Sequence, residues 1–242
     1  MKNLFMVFTL IFSSVAFAKT FNSGTQQIAL LELFSSEGCS SCPAAEKKIY
    51  ALRSDLNLWK NFTPINFHVD YWNQLGWNDR FSRDQFTKRQ NNYATLWNVT
   101  RIYTPEFVLN GQELGSDLKT ISTDKKQKVI PLILNSSANK ISDVEIHFKP
   151  TDSRNLKVYF AVLGNNLESK VTAGENKGEV LKHNFVVLSL DEKEINSTQK
   201  TEVIKVQFPW PELKEKPNSL SVVSWIVDSK SSKYIQSIGG DL

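Results

Sequence analysis

The segment Glu37-Gly38-Cys39-Ser40-Ser41-Cys42-Pro43 places the only two cysteines of this 242-residue chain two residues apart, between two different periodicities. Upstream, Ile28 to Phe34 is a short apolar run interrupted only by Glu32, the pattern of a buried strand. Downstream, Ala45, Ile49, Leu52 and Leu56 recur along one face of a helix. The spacing therefore predicts Cys39 at a strand-to-helix junction, where unpaired amides and the helix dipole favour a thiolate. Cys42 is expected one turn later, near enough to close a disulfide and to lie beneath it. A structural disulfide would close only a short loop and constrain little chain entropy. Half of a zinc site would need two more ligands from His68, His147 and His183. The redox arrangement is the favoured reading.

The N-terminus has the organisation of a secretory leader. Lys2 is followed by the apolar stretch Leu4–Phe12 and by Ala16-Phe17-Ala18, a small-residue cleavage pattern. Residues 1–18 are expected to be a signal peptide, with a periplasmic or secreted product and membrane contact only through an uncleaved leader. The net charge of +4 is spread without a basic cluster, so no nucleic-acid partner is expected. An exported compartment is oxidising, and a lone Cys-x-x-Cys there is either oxidised or cycling.

Between the leader and a polar stretch at Asn135–Ser142, helix and strand patterns alternate. Thr63–Val69 reads as a strand that opens into an aromatic loop containing Tyr71, Trp72 and Trp77. Ser82 and Gln85 have capping-box spacing before a helix whose inner face carries Phe86, Tyr93, Ala94 and Trp97. Thr104-Pro105 leads into the apolar Phe107–Leu109, and Asn110-Gly111 predicts a tight hairpin. A last helix is expected from about Asp124 toward Leu134. Past the polar stretch, Val144, Ile146 and Phe148 alternate, as do Leu156, Val158, Phe160 and Val162. With 181–190, 202–208, 220–227 and 234–238, about six strands are expected to form an antiparallel sandwich. The divisions are thus 19–135 and 136–242.

The element order of the first half resembles the thioredoxin fold. More narrowly, Leu31 to Pro43, His68-Val69-Asp70-Tyr71-Trp72 with Leu75-Gly76-Trp77, and Tyr103-Thr104-Pro105 resemble a family of secreted bacterial thioredoxin-like proteins, domain-of-unknown-function family 1223. Gly174-Glu175-Asn176-Lys177-Gly178 and His183–Val187 extend the resemblance. It implies an α/β thioredoxin-like domain followed by a mainly antiparallel β-sandwich domain. It also implies a cis Thr104–Pro105 bond beside the thiols.

The expected activity is thiol–disulfide exchange with exported protein thiols or disulfides and a redox partner, with no cofactor and no metal. Cys39 would attack, Cys42 resolve, and Pro105 shape the groove. Thr104, Tyr71, Trp72 and Trp77 would contact the partner chain. Leu33 stands where thioredoxins commonly hold a proton-moving aspartate, which leaves Glu37 and His68 as the candidate proton relay. His68 and Asp70, two apart on one strand, are a further candidate pair. The alternatives are a copper-handling chaperone using Cys39, Cys42 and His68, and a redox-idle binding module with a structural disulfide. His147 and His183 read as structural or solvated residues, and the Gly174–Gly178 loop reads as a turn first and a docking element second.

Overall fold

The computed structural model describes residues 18–118, 121, 127–138, 140–147, 155–196, 202–215 and 217–242. The leader, except Ala18, lies outside them, as do Asp124 and Phe148. No helix among the described residues is long and apolar enough to cross a membrane.

Strands dominate. The largest sheet has eight, in the order β14 (Tyr234–Asp241), β13 (Ser219–Asp228), β8 (Asn155–Asn165), β11 (Val186–Asn196), β3 (Phe62–His68), β2 (Ala29–Ser35), β4 (Glu106–Leu109) and β5 (Gln112–Gly115). Its β3-β2 pair is parallel and its β2-β4-β5 run antiparallel. β2 is buried along its whole length, which explains its near-continuous apolar sequence. The β4–β5 hairpin turns on Asn110 and Gly111, both at positive φ (53° and 79°), as the Asn-Gly signal predicts.

Two helices cover opposite faces of this part of the sheet. Ser35, on the face shared with Leu31 and Leu33, bonds Glu46 of α1 (Cys42–Ala51). On the other face, Phe34 and Phe67 meet Tyr93 and Phe86 of α2 (Asp84–Leu96) edge-on. The expected capping box is absent. Arg83 is the N-cap residue, and the Ser82 hydroxyl donates instead to Asp79 O at 2.8 Å. Gln85 reaches across to Leu190 O at 3.3 Å.

The second half does not form a closed unit of its own. β8, β11, β13 and β14 extend the large sheet through a short parallel contact, Val186 opposite Asn66, with Asn66 N donating to Phe185 O at 2.8 Å. A second sheet, β1 (Lys19–Asn22), β6 (Leu132–Ser136), β7 (Ser142–His147) and β12 (Val203–Phe208), packs on it. Leu132, Leu134, Val144 and Ile146 there face Val158, Phe160, Val222 and Ile226 in a dry sandwich core. β1 pairs with β6, a strand that spans the expected boundary at 135/136. β9 (Leu167–Lys170) and β10 (Val180–His183) form a separate two-stranded hairpin.

Two expected elements differ. Leu132–Leu134, expected as the end of a helix, is the strand β6, its residues alternately buried and half-buried. A short apolar run does not distinguish the two, and its sheet neighbour β1 is more than a hundred residues away. The single strand expected at 181–190 is divided into β10 and β11 at Asn184-Phe185, where Phe185 takes φ 59°.

Arg89 of α2 ties the two halves together. Its guanidinium forks onto the Glu32 carboxylate, through Nη2 at 2.5 Å and Nε at 3.3 Å. It also lies 5.0–5.4 Å from the ring centres of Phe67, Tyr93, Tyr159 and Trp225. Strand alternation thus turns Glu32 away from the α1 face and onto α2. Replacing Arg89 by Met strands the Glu32 charge, whose side chain is only 1% exposed. Arg89→Met is expected to destabilise the protein by about 3–5 kcal/mol, and adding Glu32→Leu to restore most of that loss. Chemical denaturation midpoints of the three proteins check this.

Candidate functional site

α1 begins at Cys42 with Ser41 as its N-cap residue, so Cys39 lies in the turn before the helix rather than on its first residue. That turn is closed by Cys39 N to Ser36 O and Cys42 N to Cys39 O, both 3.2 Å. Cys39 and Cys42 are two thiols, both buried. Cys39 Sγ is 3.2 Å from Ser41 Oγ and 3.8 Å from the carbonyl of Thr104. The Thr104–Pro105 bond is cis, as the family resemblance implies.

The two thiols are electrostatically unequal. Hydrogen bonding to the Cys42 thiol, and then to Ser41 and Thr104, outweighs burial and holds Cys39 down to about 6. Burial, reinforced by the neighbouring Cys39, pushes Cys42 far up. The sulfur of Cys42 has Cys39, Thr104 and the backbone of Ser36 as its partners, and no carboxylate among them.

The aromatic loop divides its duties. Trp72 donates from Nε1 to Thr104 Oγ1 at 2.7 Å, and its Cβ lies 3.0 Å from where a Cβ on Gly38 would be. It therefore spans from the residue before Cys39 to the residue before Pro105, and any larger residue at 38 would displace it. Tyr71 turns to α2, its hydroxyl 3.4 Å from Gln90 Oε1. Gln90 Nε2 in turn donates to Tyr103 O and to Glu106 Oε2, both 2.6 Å, and burial raises the Glu106 carboxyl to about 7. Trp77 faces the second half: its Nε1 donates to Glu37 Oε2 at 2.8 Å, and its Cβ lies 3.1 Å from the space a Cβ on Gly174 would take.

The Gly174–Gly178 loop is a docking element as well as a turn. Asn176 Nδ2 donates to the carbonyls of Glu37 (2.8 Å) and Cys39 (3.0 Å), and Ser40 N donates to Glu175 Oε2 at 2.9 Å. The backbone around Cys39 is thus held by side chains from nearly 140 residues further along the chain.

Behind it lies a buried ionic cluster that links Glu37 and His68 through His183 and through Glu46, which the sequence did not single out. His68 Nδ1 is 2.7 Å from Asp79 Oδ2, and its Nε2 is 3.5 Å from Glu46 Oε1. His183 Nδ1 hydrogen-bonds Glu46 Oε2, while its Nε2 lies 3.1 Å from Glu37 Oε1. That last contact has ion-pair distance without hydrogen-bond alignment, so both atoms lack a hydrogen-bond partner. Burial favours neutral groups here, but the opposed charges win. Against burial, Glu46 and then Glu37 raise His183 to about 10, and His183 and then His68 hold Glu46 down to about 2. His68 is raised by Asp79 and Glu46 and Glu37 lowered by His183, again against burial.

The expected pairing of His68 with Asp70 is replaced by His68 with Asp79. Asp70 Oδ1 instead accepts from Thr87 Oγ1 of α2 at 2.6 Å. His183, read as structural or solvated, is a buried ion-pair partner; His147 is part-exposed, 3.8 Å from Glu145. The copper set Cys39, Cys42 and His68 is not assembled. Among the described residues, the donor atoms within 4.8 Å of one another are those of Glu46, His68 and His183.

Residues 30–226 match the family model described as "Protein of unknown function (DUF1223)". The chain belongs to this family. The DUF1223 match spans both halves, so the loop that holds Cys39 and the ionic cluster both fall inside it. The sequence matches no curated protein at a significant level. Among solved structures, the chain is similar to a crystallised protein of Agrobacterium tumefaciens, with 19% identity and TM-score 0.61 over 88% of this chain and 93% of that one. HBP35 of Porphyromonas gingivalis is similar at 16% identity and TM-score 0.55, covering 91% and 76%. At such identities the likeness establishes the fold alone.

Removing the Asn176 amide leaves two carbonyls of the cysteine turn without their donor. Asn176→Ala is expected to lower stability by about 1–3 kcal/mol, measured by urea denaturation of the reduced protein.

Proposed function

We propose that the chain is an exported thiol–disulfide oxidoreductase whose first half is thioredoxin-like. The inequality of Cys39 and Cys42 beside the Thr104–Pro105 segment is the observation that carries this reading. The Cys39 thiolate attacks one sulfur of a partner's disulfide. A Cys39–partner bond forms, the partner's S–S bond breaks, and the partner's other sulfur leaves as a thiolate that takes a proton from water. Cys42 then gives up its proton and attacks Cys39 Sγ, releasing the partner's remaining thiolate. The partner is reduced by two electrons and a Cys39–Cys42 disulfide is formed; the reverse sequence oxidises a dithiol.

Glu37 and His68 keep their side-chain bonds within the ionic cluster, so water is the proton acceptor for Cys42 in this scheme. The main chain of Thr104 offers strand-like pairing to an extended partner, and Trp72 forms the adjoining wall. Export rests on the leader pattern of residues 1–18 and suits a dithiol that cycles in an oxidising compartment.

A second reading is favoured by one observation: Cys39 is fully buried. If Trp72 and the Ser40-Ser41 turn never open, the pair is redox-idle and the protein is a binding module. Thiolate reactivity separates the two. Only the thiolate is nucleophilic, so the alkylation rate of the reduced protein should rise through pH 6, level above it and fall about tenfold per pH unit below. Cys42→Ala should accumulate mixed disulfides with exported proteins, and Cys39→Ala should capture few or none. Equal trapping by both variants, or alkylation at pH 6 no faster than a free cysteine, would leave the binding module standing.

A further inference from the structure

Glu46, His68 and His183 reach one buried point from three separate elements, α1, β3 and β10. Each histidine presents one ring nitrogen to Glu46 and keeps the other against a carboxylate outside the trio. His68 turns Nε2 to Glu46 (3.5 Å) and Nδ1 to Asp79 (2.7 Å). His183 turns Nδ1 to Glu46 and Nε2 to Glu37 (3.1 Å). A carboxylate behind each imidazole is how proteins fix ring orientation and tautomer around a bound cation. Ser35 Oγ, donating to Glu46 Oε1 at 2.6 Å, orients the third donor in the same way.

We propose that Glu46, His68 and His183 form a mononuclear divalent-cation site, and that the donor chemistry fits zinc. Two imidazoles and one carboxylate are a borderline-soft nitrogen and oxygen set, suited to zinc rather than to calcium or magnesium. Zinc bonds of about 2.0–2.1 Å place tetrahedral ligand atoms roughly 3.3 Å apart. The His68–Glu46 separation already has nearly that value, and the three donor atoms lie within 4.8 Å of one another. A cavity of about 240 Å³ lies between α1 and β10, and its wall includes two of the three donor residues, Glu46 and His183, so that it borders the cluster on their side. Three carboxylates crowd two imidazoles here, and Glu37 Oε1 and His183 Nε2 lack hydrogen-bond partners. A divalent cation would replace the two ring protons that face Glu46 and so keep the positive charge that the three carboxylates need.

The site does not use the thiols, so its test is separable from the redox reading. Chelator-stripped, full-length protein is titrated with Zn²⁺ and with Co²⁺. Binding of about one cation per chain is expected, with cobalt d–d absorption and no thiolate charge-transfer band. The Cys39→Ala/Cys42→Ala double variant should retain the cation. His68→Gln and His183→Gln should lose it while keeping the far-ultraviolet circular dichroism of the parent. Asp79→Asn keeps the three ligands and should weaken affinity roughly 10–100-fold. If the histidine variants do not fold, pulsed electron paramagnetic resonance of the Cu²⁺-loaded double-cysteine variant counts imidazole nitrogens directly, and two are expected. Absence of stoichiometric binding, loss of the cation in the double-cysteine variant, or retention in both folded histidine variants would overturn the proposal.

Discussion

Glu46 holds a negative charge in a site only 5% exposed, and the surrounding architecture is arranged to make that tolerable. A buried carboxylate without partners would cost several kcal/mol or take up a proton. Here the two rings and a serine hydroxyl come from β3, β10 and β2, so satisfying one side chain fixes the relative placement of four elements. α1 is thereby anchored about one turn beyond Cys42, close to the turn that holds Cys39. The β9–β10 hairpin, which has no place in either large sheet, is held against α1 by the same bond. From that hairpin the Gly174–Gly178 loop extends to the cysteine turn, so the hold on the Cys39 backbone depends on the Glu46 cluster behind it.

On the opposite face of the sheet, Arg89 and Glu32 do related work by different means. An arginine fork with four aromatic faces around it compensates the loss of water through cation–π contact as well as charge. Tyr159 and Trp225 belong to strands of the second half, and Glu32 and Phe67 to strands of the first. Each face of the central strands therefore carries polar contacts that bridge the halves. The β3–β11 backbone contact, which spans a single residue pair, is reinforced from both sides.

The sequence made local arrangements legible and left distant ones hidden. Cys39, Cys42, Thr104-Pro105 and the Asn110-Gly111 hairpin could be read because turn chemistry and periodicity act over a few residues. Glu32 could be turned away from Leu33 by strand alternation alone. Glu46 gave no such signal: it sits beside the apolar positions Ala45 and Ile49 like any solvated helix residue, and its partner His183 lies 137 residues away. Asn176 looked like turn chemistry because Gly174 and Gly178 flank it, and its contacts with Glu37 and Cys39 depend on a fold that no local rule specifies. Leu132–Leu134 failed for the same reason, since its strand identity is decided by β1. Ser82 and Gln85 had the spacing of a cap but found better partners in Asp79 and Leu190.

The route of the chain through the large sheet has a kinetic consequence. β2 and β3 are made early, yet one edge of β3 has no strand beside it until β11 is available, some 120 residues later. Tyr234, Gln236 and Ser237 of β14 bond the backbone at Ile28, across more than 200 residues. Contacts of such separation are slow to form, because loop closure must precede any stabilisation from them. Until the β9–β10 hairpin is made, the turn that holds Cys39 lacks the Asn176 and Glu175 side chains that fix its backbone. The backbone geometry of the cysteine turn is thus completed from a part of the chain made long after the turn itself.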